Sequence, residues 1–202
     1  GVSQYYSTYT KREEPFQIFA GSQDQGFQRS IDYSNSIYDF EQVISGDYGH
    51  LVSSDDGYSI WTVYPGFAMY YPNASENSSG VTWNFEMSGA LWLPPLMEDP
   101  EHSSSVYLAG GGLSGGHHII KLTRSGNNIQ IDEGEYSFDN TITAMAYSPI
   151  DNAYRYALTY SGSFYYSFDG GINWTMSEEF SGPGSHYFYG AKILPSKVDL
   201  GK

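Results

Sequence analysis

Asp24 and Asp47 carry the most specific chemistry that this 202-residue chain offers. Asp24 lies between two amides in Phe19-Ala20-Gly21-Ser22-Gln23-Asp24-Gln25-Gly26, and Asp47 precedes an aromatic ring in Ser45-Gly46-Asp47-Tyr48-Gly49. Two carboxyl groups held about 6.5–9.5 Å apart can divide acid and base roles in an inverting glycoside hydrolysis. Gln23, Asp24, Gln25 and Asp47 equally suit a site that holds a polar ligand such as a glycan without cleaving it. Asp in a turn also braces its own loop by accepting backbone N–H groups, and that use competes with both. Tyr48, Tyr64 and Phe67 add flat rings that can stack on sugars or anchor a protein partner, although rings of this kind also fill the spaces between sheets.

Other patterns carry less. Gly112-Leu113-Ser114-Gly115-Gly116 fits the nucleophile elbow G-x-S-x-G, and Gly110 to Gly115 fits G-x-G-x-x-G. Both need a helix to follow, and His117-His118-Ile119-Ile120-Lys121-Leu122 reads as a strand. Adjacent His117 and His118 point to opposite faces of such a strand and cannot share an ion. Asp55-Asp56 is a short acidic pair in a turn, with calcium capture the minor alternative to solvated surface. With no cysteine, thiol chemistry, disulfides and Cys-based zinc sites are excluded. We expect neither metal nor cofactor.

The elements that must position these residues follow from composition and period. Aromatic residues make up 17% of the chain, with 23 Gly and 9 Pro, a strand-and-turn composition. A net charge of −14 repels phosphates, so nucleic acid is not an expected partner. No apolar run reaches the roughly 18 residues of a membrane span, so membrane insertion is not expected either. Ser167-Phe168-Asp169-Gly170-Gly171-Ile172-Asn173-Trp174 has the form S-x-D-x-G-x-x-W, suited to a tight turn between antiparallel strands. Ser167 and Asp169 would bond turn amides, Gly171 would take positive φ and Trp174 would pack below. Weaker copies place anchors at Phe40, Trp83, Ile129 and Trp174, separated by 43, 46 and 45 residues. A four-stranded β-propeller blade has that period.

The fold expected is therefore all-β: a β-propeller of about four four-stranded blades, near residues 1–44, 45–88, 89–134 and 135–180. A further blade would start within 181–202, with Ala191-Lys192-Ile193-Leu194 as its first strand. A four-bladed ring is one alternative. The favoured one is a piece of a seven- or eight-bladed ring, whose remaining blades would then be a partner of this segment. A β-sandwich with coincidental spacing is the rival architecture. Connections between second and third strands share one face with those between blades, which would gather Gln23, Asp24, Gln25, Asp47 and Tyr48. Turns between third and fourth strands lie on the other face.

The S-x-D-x-G-x-x-W unit resembles the Asp-box, or bacterial neuraminidase repeat, of sialidase-like propellers. Phe19–Gly26 resembles the G-T-Q-D-x-G segment of sortilin-like bacterial propellers, and Ser45–Gly49 the G-G-D-G-G segment that follows it. Leu93-Pro94-Pro95-Leu96-Met97-Glu98-Asp99-Pro100 is similar to their P-L-x-x-D-P strand ending. The resemblance implies a secreted or cell-surface bacterial protein that binds a glycan or protein ligand without catalysis. The alternative it implies is a glycoside hydrolase of sialidase-like fold using Asp24 and Asp47. Sialidase chemistry itself is disfavoured. It needs three Arg on the sugar carboxylate, and only Arg12, Arg29, Arg124 and Arg155 are present, without the Arg-Ile-Pro signature.

Overall fold

Runs of β-branched and aromatic residues, broken by Gly, Pro, Asn and Asp, fold as sixteen strands. The computed structural model describes residues 4–14, 16–32, 38–110, 112–113, 115–184 and 191–200. The strands are β1 (Tyr5–Thr10), β2 (Ile18–Ser22), β3 (Gly26–Asp32), β4 (Asp39–Ile44), β5 (Gly49–Val52), β6 (Ile60–Tyr64), β7 (Phe67–Tyr71) and β8 (Val81–Asn84). They continue with β9 (Leu96–Glu98), β10 (Ser105–Gly110), β11 (His118–Ser125), β12 (Asn128–Glu133), β13 (Ile142–Tyr147), β14 (Arg155–Thr159), β15 (Ser163–Ser167) and β16 (Thr175–Ser181). No helix occurs among the described residues.

Each successive set of four strands forms one antiparallel sheet in chain order. Local turn chemistry sets the registers. Tyr64 pairs with Phe67 across Pro65-Gly66, where Pro fixes φ and Gly66 takes φ +93°. Interior strands are the most buried, and all five residues of β14 are covered.

The first strands approach one another in series, β1 to β5, β5 to β9 and β9 to β13. The sheets therefore fan out from a common axis as propeller blades do. Apolar clusters fill the spaces between blades. Phe19, Phe27, Leu51, Ile60 and Tyr71 pack between blades one and two. Trp61, Val63, Leu93, Leu108 and Ile120 pack between two and three. Ala109, Phe138, Ile142, Ala157 and Trp174 pack between three and four. Polar ties cross the same gaps. Arg29 is buried, pairs with Glu41 of its own sheet, and donates to Ala74 O (3.1 Å) and Asn77 Oδ1 (2.9 Å) of blade two.

Two expectations need correction. Ala191–Leu194 forms no strand; it runs beside the axis, where Ala191, Lys192 and Ile193 line a cavity. A first strand gains its ladder only from the second strand of its own blade, and no described strand pairs with this segment. Trp83 and Trp174 are not equivalent either. Trp83 lies inside β8 opposite Ala68, so the pleat turns it forward against Leu108 and Ile120 of blade three. Trp174 precedes β16 and is held by its indole N–H to Gly171 O (2.9 Å), facing back toward Ile119 of blade three.

Candidate functional site

First strands begin at one end of the axis, called the top here, and the β2–β3 and β4–β5 connections lie there too. Asp24 occupies the β2–β3 turn with φ +60°, a left-handed conformation that Asp tolerates better than most residues. Asp47 lies in the β4–β5 connection, and its Oδ1 accepts the Asp24 N–H at 2.9 Å. Gln25 meets Gly46 in a parallel bridge, and Gly46 N–H reaches Asp24 O at 3.4 Å. Gln23 N–H bonds Gln4 O at 3.0 Å, tying the turn to the start of β1. The four polar residues thus converge, and one Asp47 oxygen braces the loop that carries Asp24.

Tyr48, Tyr64 and Phe67 also meet, but mainly with one another. Tyr64 and Phe67 stack at 4.8 Å, and Tyr48 presents its edge to both. Tyr48 is only 5% exposed, so its ring supports the connection rather than facing a ligand. Burial, then the neighbouring Tyr64, raises its pKa.

Two residues that sequence reasoning passed over complete this rim. Tyr6, on β1, lines a cavity of about 730 Å³ at the axis, together with His50, Leu93 and Thr143 of the other first strands and their lead-in segments. Its hydroxyl pKa is raised by burial first, then by the charges of Asp47 and Asp24. The ring meets Trp92 edge-on at 6.3 Å. The Tyr6 hydroxyl thus stands within the electrostatic reach of both carboxylates, and its ring touches the Trp92 indole. Its place in the Tyr-rich strand β1 is the sole sequence signal for Tyr6, and Trp92 has none.

The opposite end of the axis holds a second cavity of about 470 Å³, bordered by Tyr9, Arg12, Asp56, Glu98 and Tyr147. Tyr147 donates its hydroxyl to Glu98, and burial with that hydrogen bond pushes its pKa far up. Turns at this end share one design. Ser167 Oγ accepts the Gly171 N–H (2.9 Å) and donates to Asp169 Oδ1 (2.8 Å), which accepts the Asn173 N–H (2.9 Å). The same network recurs between β5 and β6. Ser53 Oγ accepts the Gly57 N–H (2.8 Å) and donates to Asp55 Oδ1 (2.8 Å), which accepts the Ser59 N–H (2.9 Å). Positive φ at Asp56 and Gly57 matches that at Gly170 and Gly171.

Asp56 adds an inter-blade clamp by accepting the N–H groups of Arg12 and Glu13 at 2.8–3.1 Å, which lower its pKa. Asp55 and Asp56 are thus engaged within turns, and no group of three or more metal-ligating side chains occurs among the described residues. His118 Nδ1 contacts Gly134 O and His117 Nδ1 contacts Gly89 O, on opposite sides of blade three's edge. Gly111 and Ser114 of the glycine-rich motifs lie outside the described residues. The segment after them is the strand β11.

The Asp169 turn carries an acid signature. The N–H and side chain of Asn173, then Ser167, hold its carboxyl at about 2, below the ordinary 3.8. A depressed value contributes stability that is fully present above the ordinary pKa and lost as pH falls through the folded one. The melting-temperature advantage of the natural chain over Asp169→Asn is expected to be constant above about pH 4 and to vanish toward pH 2. An advantage independent of pH would overturn this.

Four four-stranded blades around an axis, with polar and aromatic residues at its openings, define a β-propeller. No protein-family model matches the chain, and no curated protein matches it by sequence. Solved structures do. The β-propeller domain of Myceliophteria thermophila Cps50 (Swd1) aligns with TM-score 0.65 at 11% identity, covering 90% of this chain and 57% of that one. YCF48 from Cyanidioschyzon merolae aligns with TM-score 0.56 at 11% identity, covering 86% and 56%. The Niastella koreensis GH74 enzyme aligns with TM-score 0.53 at 13% identity, covering 79% and 27%. At such identities the likeness is one of fold, and the chain spans little more than half the length of the first two.

Proposed function

We propose that these blades are part of a larger propeller of an exported or cell-surface protein, and that they bind a hydroxyl-rich ligand such as a glycan without cleaving it. The nearness of the Asp24 and Asp47 charges to Tyr6, which lines the axial cavity and meets Trp92, carries the reading. Carboxylates accept ligand hydroxyls, the Tyr6 hydroxyl can donate or accept, and an indole beside them offers an apolar face. The brace from Asp47 to the Asp24 N–H favours binding over acid–base catalysis, because one oxygen is already committed to the backbone. The two S-x-D-x-G turns support the resemblance to Asp-box propellers. The neighbours' coverage supports a ring with further blades.

The test is a polysaccharide panel scored for binding and for released reducing ends. Asp47→Asn keeps an oxygen for the Asp24 N–H while removing charge, so the loop survives. Binding without reducing ends, weakened about tenfold by Asp24→Asn and Asp47→Asn, is the expected result. Reducing ends abolished by either variant would install the hydrolase instead. Binding of proteins alone would refute the glycan.

A further inference from the structure

We propose that the slot between blades three and four binds a small organic monocarboxylate on the guanidinium of Arg155. The slot, about 270 Å³, has as one wall a row of residues paired across blade three: Met97, Tyr107, Lys121 and Asp132. Arg155 and Trp174 of blade four face it. Arg155 is 7% exposed. Its guanidinium carbon stands 4.5 Å from the centre of the Tyr107 ring, and Cδ, Nη1 and Nη2 lie beside the Gly170-Gly171 turn, where Cβ atoms on those glycines would come within 3.3–3.9 Å of them. Nε makes one long contact to Asn152 O at 3.5 Å. Among the described residues Nη1 and Nη2 have no acceptor and Arg155 has no carboxylate within ion-pair distance, although the chain carries 23 acidic residues.

A nine-tenths-buried cation without a counter-ion is costly, and an anion from outside removes that cost. The remaining charges define which anion. Lys121 is already paired with Asp99 at 2.7 Å, and Arg155 shares the slot with Asp132 without an ion pair to it, so Arg155 lacks a direct partner although the slot carries no net charge. A monocarboxylate adds one negative charge near Asp132, whereas a phosphate dianion adds two and is repelled more strongly. A planar carboxylate also matches the two parallel N–H groups of a guanidinium. Tyr107, Trp174 and Met97 then provide apolar contact for the body of the ligand. The slot lies away from the Asp24 rim, and the inference is independent of the function proposed above.

Benzoate and inorganic phosphate serve as probes, titrated by calorimetry and by amide NMR on the natural chain. Expected are saturable benzoate binding with shifts at the Gly170 and Gly171 amides and the Trp174 indole N–H, and much weaker phosphate binding. Arg155→Gln should weaken benzoate about tenfold or more, with Asp24→Asn leaving it unchanged. Should Arg155→Gln not fold, the NMR map on the natural chain decides. No saturable benzoate shifts, shifts located elsewhere, phosphate bound as tightly as benzoate, or full binding by a folded Arg155→Gln would each overturn the proposal.

Discussion

Replacing Phe27 by alanine lowers the free energy of unfolding by about 3–5 kcal/mol, measured by urea denaturation, whereas Phe40→Ala costs under about 1 kcal/mol. Both aromatics lie in blade one, on neighbouring strands, but Phe27 is fully buried and Phe40 is 37% exposed. Phe27 stacks on Phe19 at 6.0 Å and meets the Tyr71 edge of blade two at 5.4 Å. Its cluster contains Leu51, Ile60 and Met69 of the same neighbouring blade. Truncation therefore opens a cavity between sheets while leaving the ladders within each sheet intact. Phe40 touches Tyr5 of its own sheet, with ring centres 6.4 Å apart. A domain of this size has roughly 5–15 kcal/mol of stability, so the Phe27 change removes a large fraction. Equal costs for the two variants would mean that blade-to-blade packing is not what holds the chain together.

The period of forty-odd residues was legible because each blade repeats a complete meander, and turn residues punctuate it. Strands bounded by strong turn chemistry, Ile60–Tyr64, Phe67–Tyr71, Ile142–Tyr147 and Ser163–Ser167, lie where the pattern places them. The strand β9 begins at Leu96 rather than at the apolar Leu93, because Pro94 and Pro95 cannot donate to a ladder. The outermost strand β16 runs on to Ser181. Its Ser177-Glu178-Glu179 stretch faces solvent and shows no apolar signal.

The second S-x-D-x-G turn escaped because Ser59 replaces the Asn, Ile60 stands in the Trp place with Trp61 one position late, and the turn joins first and second strands rather than third and fourth. The Asp24 and Asp47 loops could be paired from topology alone. Tyr6 and Trp92 could not, since two side chains meeting across the axis from different blades leave no periodic trace. Arg155 is a similar case: its lack of a carboxylate is a property of packing between blades, not of any motif.

Gly26→Ala is expected to destabilise the chain by roughly 4 kcal/mol and to abolish ligand binding at the top rim, while Gly66→Ala costs about 1 kcal/mol and leaves binding intact. Both glycines sit in turns at the top, with φ +73° and +93°, so both variants meet the left-handed backbone penalty. They differ in surroundings. A Cβ on Gly66 meets nothing within 4 Å, whereas one on Gly26 would come 1.7 Å from Ile44 O and 2.9 Å from Ser45 C. These neighbours are backbone atoms of β4 and its connection, so no side-chain rotation relieves the overlap. The β2–β3 turn and the β4–β5 connection must separate. That movement breaks the Gln25–Gly46 bridge and the hydrogen bond from Asp24 N–H to Asp47. The carboxylates then lose their common position beside Tyr6, so stability and binding fall together. Urea denaturation and glycan titration of the two variants read these effects separately. Full binding by Gly26→Ala would show that the site does not depend on the close approach of these two loops.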